Sequence, residues 1–375
     1  MRSTRETVVW LIRHGASTFN FEGRCQGCSN EPELTEAGRE AARKSGERLR
    51  RAGIEAVISS PLRRVAQTAF EIMDSLPTRE ILFDLDVRLR EIDLPQWEGL
   101  PYAEIRGRFP EQFLTWRLRP FHFRMHSACS TSQFPVRDLY LRVQQFWRHL
   151  LAAYAGRSVL LVTHGGTGRA LITTALGLDP NHFHGIQQSN CGISRLRFPA
   201  NDQGARLDLL NDTSHLDARL PKLKEGKTGV RLLLIPAMEA SATDLRRIAS
   251  VLEPVAVDGV FVGETAGENA ASQIFTDRTT ASIRQIPQDG WERWIQGTVE
   301  SRNACPVLNL AVVASPGYLR RVLQQQFTRI DATAERITFT EAGITAVHWP
   351  GRGTPPVFQC MNMFAPEFSL AGVQL

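Results

Sequence analysis

The 375-residue sequence is poor in cysteine and lysine, and it contains no long apolar run. Its six cysteines are too few for the dense disulfide framework of a small secreted protein. The CxxC pair Cys25–Cys28 has no second pair and no redox-fold pattern before it, so we interpret it as loop sequence. The longest apolar runs, such as residues 158–163, fall far short of the roughly 20 residues that cross a bilayer.

The N-terminal segment and the charge distribution indicate the cellular setting. Residues 1–15 contain no apolar stretch that ends in a small-residue cleavage site, so we predict no signal peptide, a cytoplasmic location and no membrane partner. The net charge is +5, and the basic excess lies in residues 1–224, which suits an anionic ligand. The basic residues are scattered rather than aligned in a stripe, so we expect no nucleic-acid partner.

The whole chain has 42% hydrophobic residues, which is typical of a globular protein. In its first half, short apolar runs alternate with helical patterns. The predicted strands are Thr7–Ile12, Ala56–Ser59 and Ser158–Thr163, and they are followed by helical patterns at residues 34–52, about 60–75 and 167–176. This alternation predicts an α/β fold, a three-layer α/β/α arrangement around a mostly parallel sheet. Ligands of such sheets bind beyond the carboxyl ends of the strands.

Polar side chains suited to phosphate chemistry follow each of these strands. Arg13 and His14 end the first strand, Arg63 follows the second, and His164 ends the third. Arginine is a planar fork that matches phosphate oxygens, and a neutral imidazole can attack phosphorus and hold the phosphoryl group covalently. Because the strand ends meet at one edge of the sheet, we expect these side chains to converge.

The motifs resemble those of the histidine phosphatase, or phosphoglycerate mutase-like, superfamily over residues 7–210. They are LIRHGASTFN (11–20), GRCQGCSNEPELTEAGREAA (23–42), ISSPLRRVAQTA (58–69), LREIDLPQWEG (89–99) and VLLVTHGG (159–166). The resemblance implies that His14 is the nucleophile, that Glu91 is the general acid and base, and that His164 is catalytic. It also implies a phosphate pocket lined by Arg13, Asn20, Arg63 and Gly165. Asp93 and Glu98 stay open as alternatives to Glu91.

The sequence departs from the family pattern at Ala16, where the family often has glutamate, and this departure points to a subgroup. FPVRDLY (134–140), QQSNCGISRLRF (187–198) and REIDL (90–94) resemble the group of plant 2-carboxyarabinitol 1-phosphate phosphatases and cyanobacterial metal-independent phosphoserine phosphatases. Substrate selection is expected from the long segment at residues 100–135, which is rich in arginine and aromatic residues.

A weaker copy of the same pattern follows residue 229. Val230–Ile235 resembles the first strand, residues 258–275 align with 55–72, and residues 339–350 align with 188–199. In this alignment Ile235-Pro236-Ala237 replaces the Arg13-His14-Gly15 motif, Ala266 replaces Arg63, and Ser315 replaces His164. We therefore predict a catalytic domain at residues 1–211, a linker at 212–229 and a second, degenerate and inactive copy of the fold at 230–375.

The resemblance implies a metal-independent phosphomonoesterase that needs no cofactor and acts through a phosphohistidine. Its expected partner is a small phosphorylated metabolite, such as phosphoserine or a sugar-acid phosphate like 2-carboxyarabinitol 1-phosphate. Two alternatives stay open: a cofactor-dependent phosphoglycerate mutase, and a non-catalytic protein that senses a metabolite or acts as a scaffold. A homodimer is also left open.

Overall fold

The computed structural model describes residues 5–77, 80–126, 132–200, 204–216, 220–224, 226–264, 267–276, 283–286, 291–302, 305–326, 336–351 and 354–364. These residues form two compact units, the first ending at Arg206 and the second beginning at Leu207. Ala266, which the repeat alignment places opposite Arg63, lies outside the described residues. Within them, no helix combines the length and the apolar character that crossing a bilayer requires.

The first unit is built on a mostly parallel sheet. Its strands are β1 (Thr7–Arg13), β2 (Ala56–Ser59), β3 (Leu82–Leu85), the hairpin strands β4 (Met125–His126) and β5 (Ser132–Gln133), β6 (Ser158–Thr163) and β7 (Ile193–Phe198). The main sheet has the order β3-β2-β6-β1-β7, in which β7 alone runs antiparallel. The central strands β2 and β6 are buried along nearly their whole length because side chains are covered on both faces, as in other parallel sheets. The sheet confirms the predicted α/β class.

The helices that the structure describes in the first unit include counterparts of the three predicted ones. They are α1 (Thr18–Glu22), α2 (Glu36–Leu49), α3 (Arg63–Ser75), α4 (Tyr102–Arg108), α5 (Pro110–Leu118), α6 (Pro135–Ala153) and α7 (Gly165–Leu176). The α2 helix begins where the sequence indicates, because the Thr35 hydroxyl accepts a hydrogen bond from the Gly38 N–H at 3.0 Å. The α7 helix begins directly after β6, two residues earlier than predicted, with His164 as its N-cap residue.

The second unit contains the remaining elements. Its strands are β8 (Arg206–Asp212), β9 (Val230–Pro236), β10 (Gly259–Val262), β11 (Ile283–Gln285), β12 (Leu308–Ala314), β13 (Ile344–Trp349) and β14 (Val357–Met363). Its helices are α8 (Ala242–Leu252), α9 (Gly267–Phe275), α10 (Trp291–Ser301) and α11 (Pro316–Gln326). The strand order is β11-β10-β12-β9-β13-β14-β8, and β9 to β12 run parallel.

The strand arrangement of the second unit repeats that of the first. The order β11-β10-β12-β9-β13 has the same succession and directions as β3-β2-β6-β1-β7. Cys191 and Ala342, which the alignment places opposite each other, both have left-handed backbone angles, with φ of 56° and 62°. Each is followed directly by a glycine, and this glycine precedes β7 in the first unit and β13 in the second. Left-handed residues other than glycine are uncommon, so this shared feature supports the alignment.

The boundary between the units differs from the predicted linker. The first unit ends at the start of β8, five residues before the predicted end of the first domain at 211. In the described part of residues 212–229, Thr213 and Ser214 are buried. Leu220 belongs to the hydrophobic core of the second unit. The polar composition of residues 212–229 suggested a linker, but Leu220 of this segment packs in the hydrophobic core of the second unit.

Candidate active site

His14 lies directly beyond the carboxyl end of β1 and is buried. Its Nδ1 lies 2.7 Å from the Gly15 carbonyl oxygen, which can only accept a hydrogen bond. A neutral His14 ring therefore carries its proton on Nδ1 and its lone pair on Nε2. The ring meets that of His164 edge to face, with centroids 5.3 Å apart. The structure thus brings the two predicted histidines together, and the lone pair of a neutral His14 ring lies on Nε2.

His164 follows β6 and is fully buried. Its Nδ1 lies 3.1 Å from a guanidinium nitrogen of Arg64, and its Nε2 lies 2.9 Å from the Ser60 hydroxyl. Arginine only donates, so Nδ1 accepts and the single proton of a neutral ring lies on Nε2. Burial, with Arg64 and His14 nearby, lowers the pKa of His164 well below its usual value. His164 is therefore neutral at neutral pH and exists as one tautomer.

The arginine in this pocket is Arg64, and the assignment of Arg63 is corrected here. Arg63 is exposed and pairs with Glu33. Arg64 is fully buried, and its guanidinium donates to the carbonyls of Ser29 at 2.7 Å and Gly27 at 3.0 Å, in addition to His164. Burial lowers the pKa of Arg64 to about 10, while the carboxylate of Glu91 opposes this shift. The group stays charged at neutral pH.

Helical periodicity contained the signal that distinguishes the two arginines. The buried face of α3 includes Val65, Thr68 and Ile72. Arg64 lies four residues before Thr68, so it shares this face, whereas Arg63 is turned away by about 100°. Thr68 also accepts a hydrogen bond from the Gly15 N–H at 3.0 Å, which ties this face of α3 to the His14 turn.

Arg13 is held beside the start of α7. Its guanidinium donates to the carbonyl of Gln188 at 2.9 Å. Burial lowers the pKa of Arg13, and the nearby carboxylate of Glu91 raises it. A Cβ at Gly165 would lie 3.3 Å from the Arg13 Nε, so the glycine lets this guanidinium lie close to the backbone. The contact that the structure shows for Gly165 is therefore with Arg13; its predicted contact with phosphate stays a prediction.

The carboxylate of Glu91 lies at the N-terminus of α7. Its carboxylate accepts hydrogen bonds from the N–H groups of Gly166 at 3.1 Å and Thr167 at 2.9 Å. Its own backbone carbonyl accepts one from Arg142 at 3.1 Å. The positive end of the helix dipole favours a carboxylate at this position. Several side chains and backbone groups therefore hold Glu91 in a defined orientation.

The two alternative carboxylates are placed differently. Asp93 is exposed. Glu98 accepts hydrogen bonds from the N–H groups of Cys28 at 2.6 Å and Ser29 at 3.1 Å, so it belongs to a loop contact. Glu91 is the one of the three that is bound to the first turn of the helix after His164.

Asn20 lies near the His14 turn through another amide. Its side-chain oxygen accepts hydrogen bonds from the N–H of Ser17 at 3.2 Å and the amide of Asn190 at 3.0 Å. The Asn190 amide also donates to the carbonyls of His14 at 2.9 Å and Gly15 at 3.2 Å. Asn20 therefore caps α1 and supports this turn, and its predicted contact with the phosphoryl group stays a prediction.

The segment at residues 100–135 makes aromatic contacts in its described part; residues 127–131 lie outside the described chain. Trp116 contacts Trp97 with ring centroids 5.9 Å apart, and Phe123 at 5.1 Å. It also contacts His184 at 4.8 Å, and the carbonyl of Trp116 lies 2.9 Å from His184 Nε2. Trp116 thus packs this segment against neighbouring aromatic rings.

Positive charge predominates among the buried groups of the site. Burial lowers the pKa values of Arg13, Arg64 and Arg142, and the carboxylate of Glu91 opposes each shift. Three guanidiniums around one helix-bound carboxylate favour a bound anion. In the part of the chain that the structure describes, no cluster of three His, Cys, Asp or Glu side chains is arranged to hold a metal ion.

Comparison with known proteins agrees with this geometry. A probable 2-carboxy-D-arabinitol-1-phosphatase from Arabidopsis thaliana is 39% identical over 56% of this chain, which spans 42% of that relative's length. A probable phosphoglycerate mutase from Enterobacter sp. is 34% identical over 58% of this chain and 97% of its own length. Phosphoserine phosphatase 1 from Hydrogenobacter thermophilus is 30% identical over 49% of this chain and 83% of its own.

The family match covers the whole region that holds the two histidines, Arg64 and Glu91. The family model of the histidine phosphatase superfamily (branch 1) matches residues 9–213, more than half of the chain. The chain belongs to the histidine phosphatase superfamily.

Proposed function

We propose that the protein hydrolyses the phosphate monoester of a small metabolite through a phosphohistidine at His14. In the first step the His14 Nε2 lone pair attacks phosphorus, and the bond from phosphorus to the alcohol oxygen breaks. Protonated Glu91 gives its proton to the leaving alkoxide. In the second step Glu91 takes a proton from water, the resulting hydroxide attacks phosphorus, the P–N bond breaks, and inorganic phosphate leaves.

The observation that carries this proposal is the hydrogen bond from His14 Nδ1 to the Gly15 carbonyl at 2.7 Å. It places the proton of a neutral ring on Nδ1 and the lone pair on Nε2, and it holds the ring in one orientation. A strand end alone would also suit a structural histidine. The adjacent His164, which is neutral and held by Arg64, makes a nucleophilic role the better interpretation.

The charges that a phosphoryl group needs are supplied by the chain's own residues. Arg13 and Arg64 carry fixed positive charge close to the histidines, and catalysis of phosphoryl transfer depends mostly on positioning and on such stabilisation. The proposed reaction therefore uses neither a metal nor a cofactor.

The substrate class that we propose is phosphoserine or a sugar-acid phosphate such as 2-carboxyarabinitol 1-phosphate. Two relatives support it, because their names specify a 2-carboxy-D-arabinitol-1-phosphatase and a phosphoserine phosphatase. Both classes combine a phosphate monoester with a carboxylate. The basic pocket around Arg13 and Arg64 and the arginines of residues 100–135 suit such doubly anionic molecules.

A phosphoglycerate mutase is the second candidate, because the Enterobacter relative with that name matches over 97% of its length. A mutase would use the same phosphohistidine but return the phosphoryl group to a phosphoglycerate instead of water. The two activities differ in the acceptor that reaches His14, so they are distinguished by the product.

Residues 230–375 are proposed to be a degenerate and inactive copy of the fold. Its β9 strand ends in Pro236, where β1 is followed by His14. Ser315, opposite His164, donates to a carboxylate oxygen of Glu264 at 3.0 Å, and its N–H donates to the other oxygen at 3.1 Å. Neither Pro236 nor Ser315 carries the imidazole that the proposed phosphoryl transfer needs.

The test is a panel of phosphorylated metabolites assayed for phosphate release in the presence of EDTA. The panel contains phosphoserine, 2-carboxyarabinitol 1-phosphate and 3-phosphoglycerate, and His14→Ala is the control. We expect phosphate release from at least one sugar-acid phosphate or phosphoserine, and loss of release in His14→Ala. Interconversion of phosphoglycerates without release would indicate the mutase. Loss of wild-type activity in EDTA that magnesium restores would contradict metal independence, and no turnover of any substrate would favour the non-catalytic alternative.

A further inference from the structure

The loop at residues 27–29 is held on one side by the carboxylate of Glu98. One oxygen of this carboxylate accepts both loop hydrogen bonds, from the Cys28 N–H at 2.6 Å and the Ser29 N–H at 3.1 Å. Gly27 has a left-handed φ of 49°, and a Cβ there would collide with the same oxygen. The glycine therefore allows the carboxylate to approach the loop backbone closely.

The other side of the same loop holds Arg64. The carbonyls of Gly27 and Ser29 accept from its two terminal nitrogens, at 3.0 and 2.7 Å. Among the described residues, the Arg64 guanidinium has no carboxylate partner within salt-bridge distance. The position of this buried cation is therefore set by two loop carbonyls and by His164.

Arg64 in turn determines the tautomer of His164. Its guanidinium donates to His164 Nδ1, so the ring proton is on Nε2, where the Ser60 hydroxyl lies 2.9 Å away. If the loop carbonyls moved, the guanidinium would lose two of its three acceptors. His164 Nδ1 would then lose its donor, and the ring would exist as a mixture of tautomers.

We propose that Glu98 is a positioning residue for the Arg64–His164 pair, acting through the backbone of residues 27–29. This role rests on the proposed function, and it separates Glu98 from the proton transfer that we assign to Glu91. The negative charge also matters, because charge-assisted hydrogen bonds are roughly twice as strong as neutral ones. Glu98 and Glu91 both raise the pKa of the buried Arg64 against the effect of burial, which lowers it.

The test compares Glu98→Ala and Glu98→Gln with the control Glu31→Ala. Glu31 is exposed and lies two residues after the loop at 27–29, and the substitution Glu31→Ala removes the same charge as Glu98→Ala. Two quantities are measured in the full-length protein: kcat/KM for phosphate release, and the ¹⁵N chemical shifts of the His164 ring nitrogens. Circular dichroism and thermal melting show whether each variant is folded.

We expect folded Glu98→Ala to lose about 30-fold in kcat/KM, less than the roughly 10²–10³-fold cost of deleting a stabilising donor outright. We expect its His164 shifts to move from a single Nε2–H tautomer toward a mixture. Glu98→Gln loses the charge but retains an oxygen that accepts both N–H groups, so it should keep the single tautomer and lose less kcat/KM than Glu98→Ala. Glu31→Ala should match the wild type. If Glu98→Ala does not fold, Glu98→Asp replaces it with the same expected changes, because the shorter side chain withdraws the carboxylate.

A folded Glu98→Ala with wild-type His164 shifts would overturn the proposal, whatever its activity. So would an activity loss that appears with alkyl but not with aryl phosphates, because that pattern belongs to the general acid. Absence of phosphate release in the wild type would count against the proposed function alone, since the ring shifts are measured without substrate.

Discussion

Exchange of Arg64 for lysine, compared with the same exchange at Arg63, is the most discriminating perturbation of the proposed phosphate pocket. Lysine keeps the charge but loses the planar fork that reaches two carbonyls and His164 at 2.7–3.1 Å. Removing one preorganised donor from such a site costs about 10²–10³ in rate, or roughly 3–4 kcal/mol of transition-state stabilisation. We expect a loss of this size in kcat/KM for Arg64→Lys.

The stability of the two variants should differ in the same direction. Arg64→Lys leaves at least one buried carbonyl without a donor, which costs about 1–3 kcal/mol of unfolding free energy. The Arg63–Glu33 pair is exposed, and such pairs contribute at most about 1 kcal/mol. Phosphate-release kinetics and urea unfolding measure both effects. Equal losses in the two variants, or a larger loss in Arg63→Lys, would refute the placement of Arg64 in the pocket.

Three further predictions concern the acid, the buried histidines and the contact at the start of α7. Glu91→Gln should slow phosphoenzyme formation strongly with an alkyl phosphate and weakly with a nitrophenyl phosphate, because only the alkoxide needs a proton; equal losses would count against Glu91 as the acid. Burial lowers the pKa values of His164 and His184, so below about pH 6.5 the unfolded state binds more protons than the folded state. The free energy of unfolding should therefore fall as the pH falls, by up to about 1.4 kcal/mol per pH unit for each histidine. His184→Gln should reduce this slope in urea unfolding between about pH 6.5 and 5, and an unchanged slope would contradict a His184 that stays neutral in the folded state. Gly165→Ala should displace the Arg13 guanidinium, whose Nε would lie 3.3 Å from the new methyl, and lower kcat/KM by about tenfold; an unchanged value would show that the guanidinium has room to adjust.

The regular elements of the first unit could be predicted because their signals are local. The strand at Ala56–Ser59 and that at Ser158–Thr163 have the predicted bounds, since each is a compact apolar run between turn residues. The His14–His164 pair followed from the same logic, because adjacent parallel strands bring their ends together. The cap at Thr35 is equally local, because its hydroxyl accepts from the N–H of Gly38, three residues further along the chain.

The errors lie where the outcome depends on packing. Two adjacent arginines look alike in a motif, and burial of one helix face decides that Arg64 and not Arg63 enters the site. The polar segment at 212–229 looked like a spacer, but a long-range contact buries Leu220 in the core of the second unit. Glu98 was considered only as an alternative acid, because its bonds to the loop at 27–29 join residues 70 positions apart.

The central claim, a phosphohistidine at His14, is tested most directly by trapping it. Rapid quenching with substrate labelled in the phosphoryl group should yield protein-bound label that is stable in alkali and lost in acid. Mass spectrometry should locate this label on the peptide that contains His14, and His14→Ala should carry none. Absence of a label during active turnover would contradict the account. So would a labelled His14→Ala protein that keeps more than about a tenth of wild-type activity, since removal of a covalent nucleophile costs several orders of magnitude.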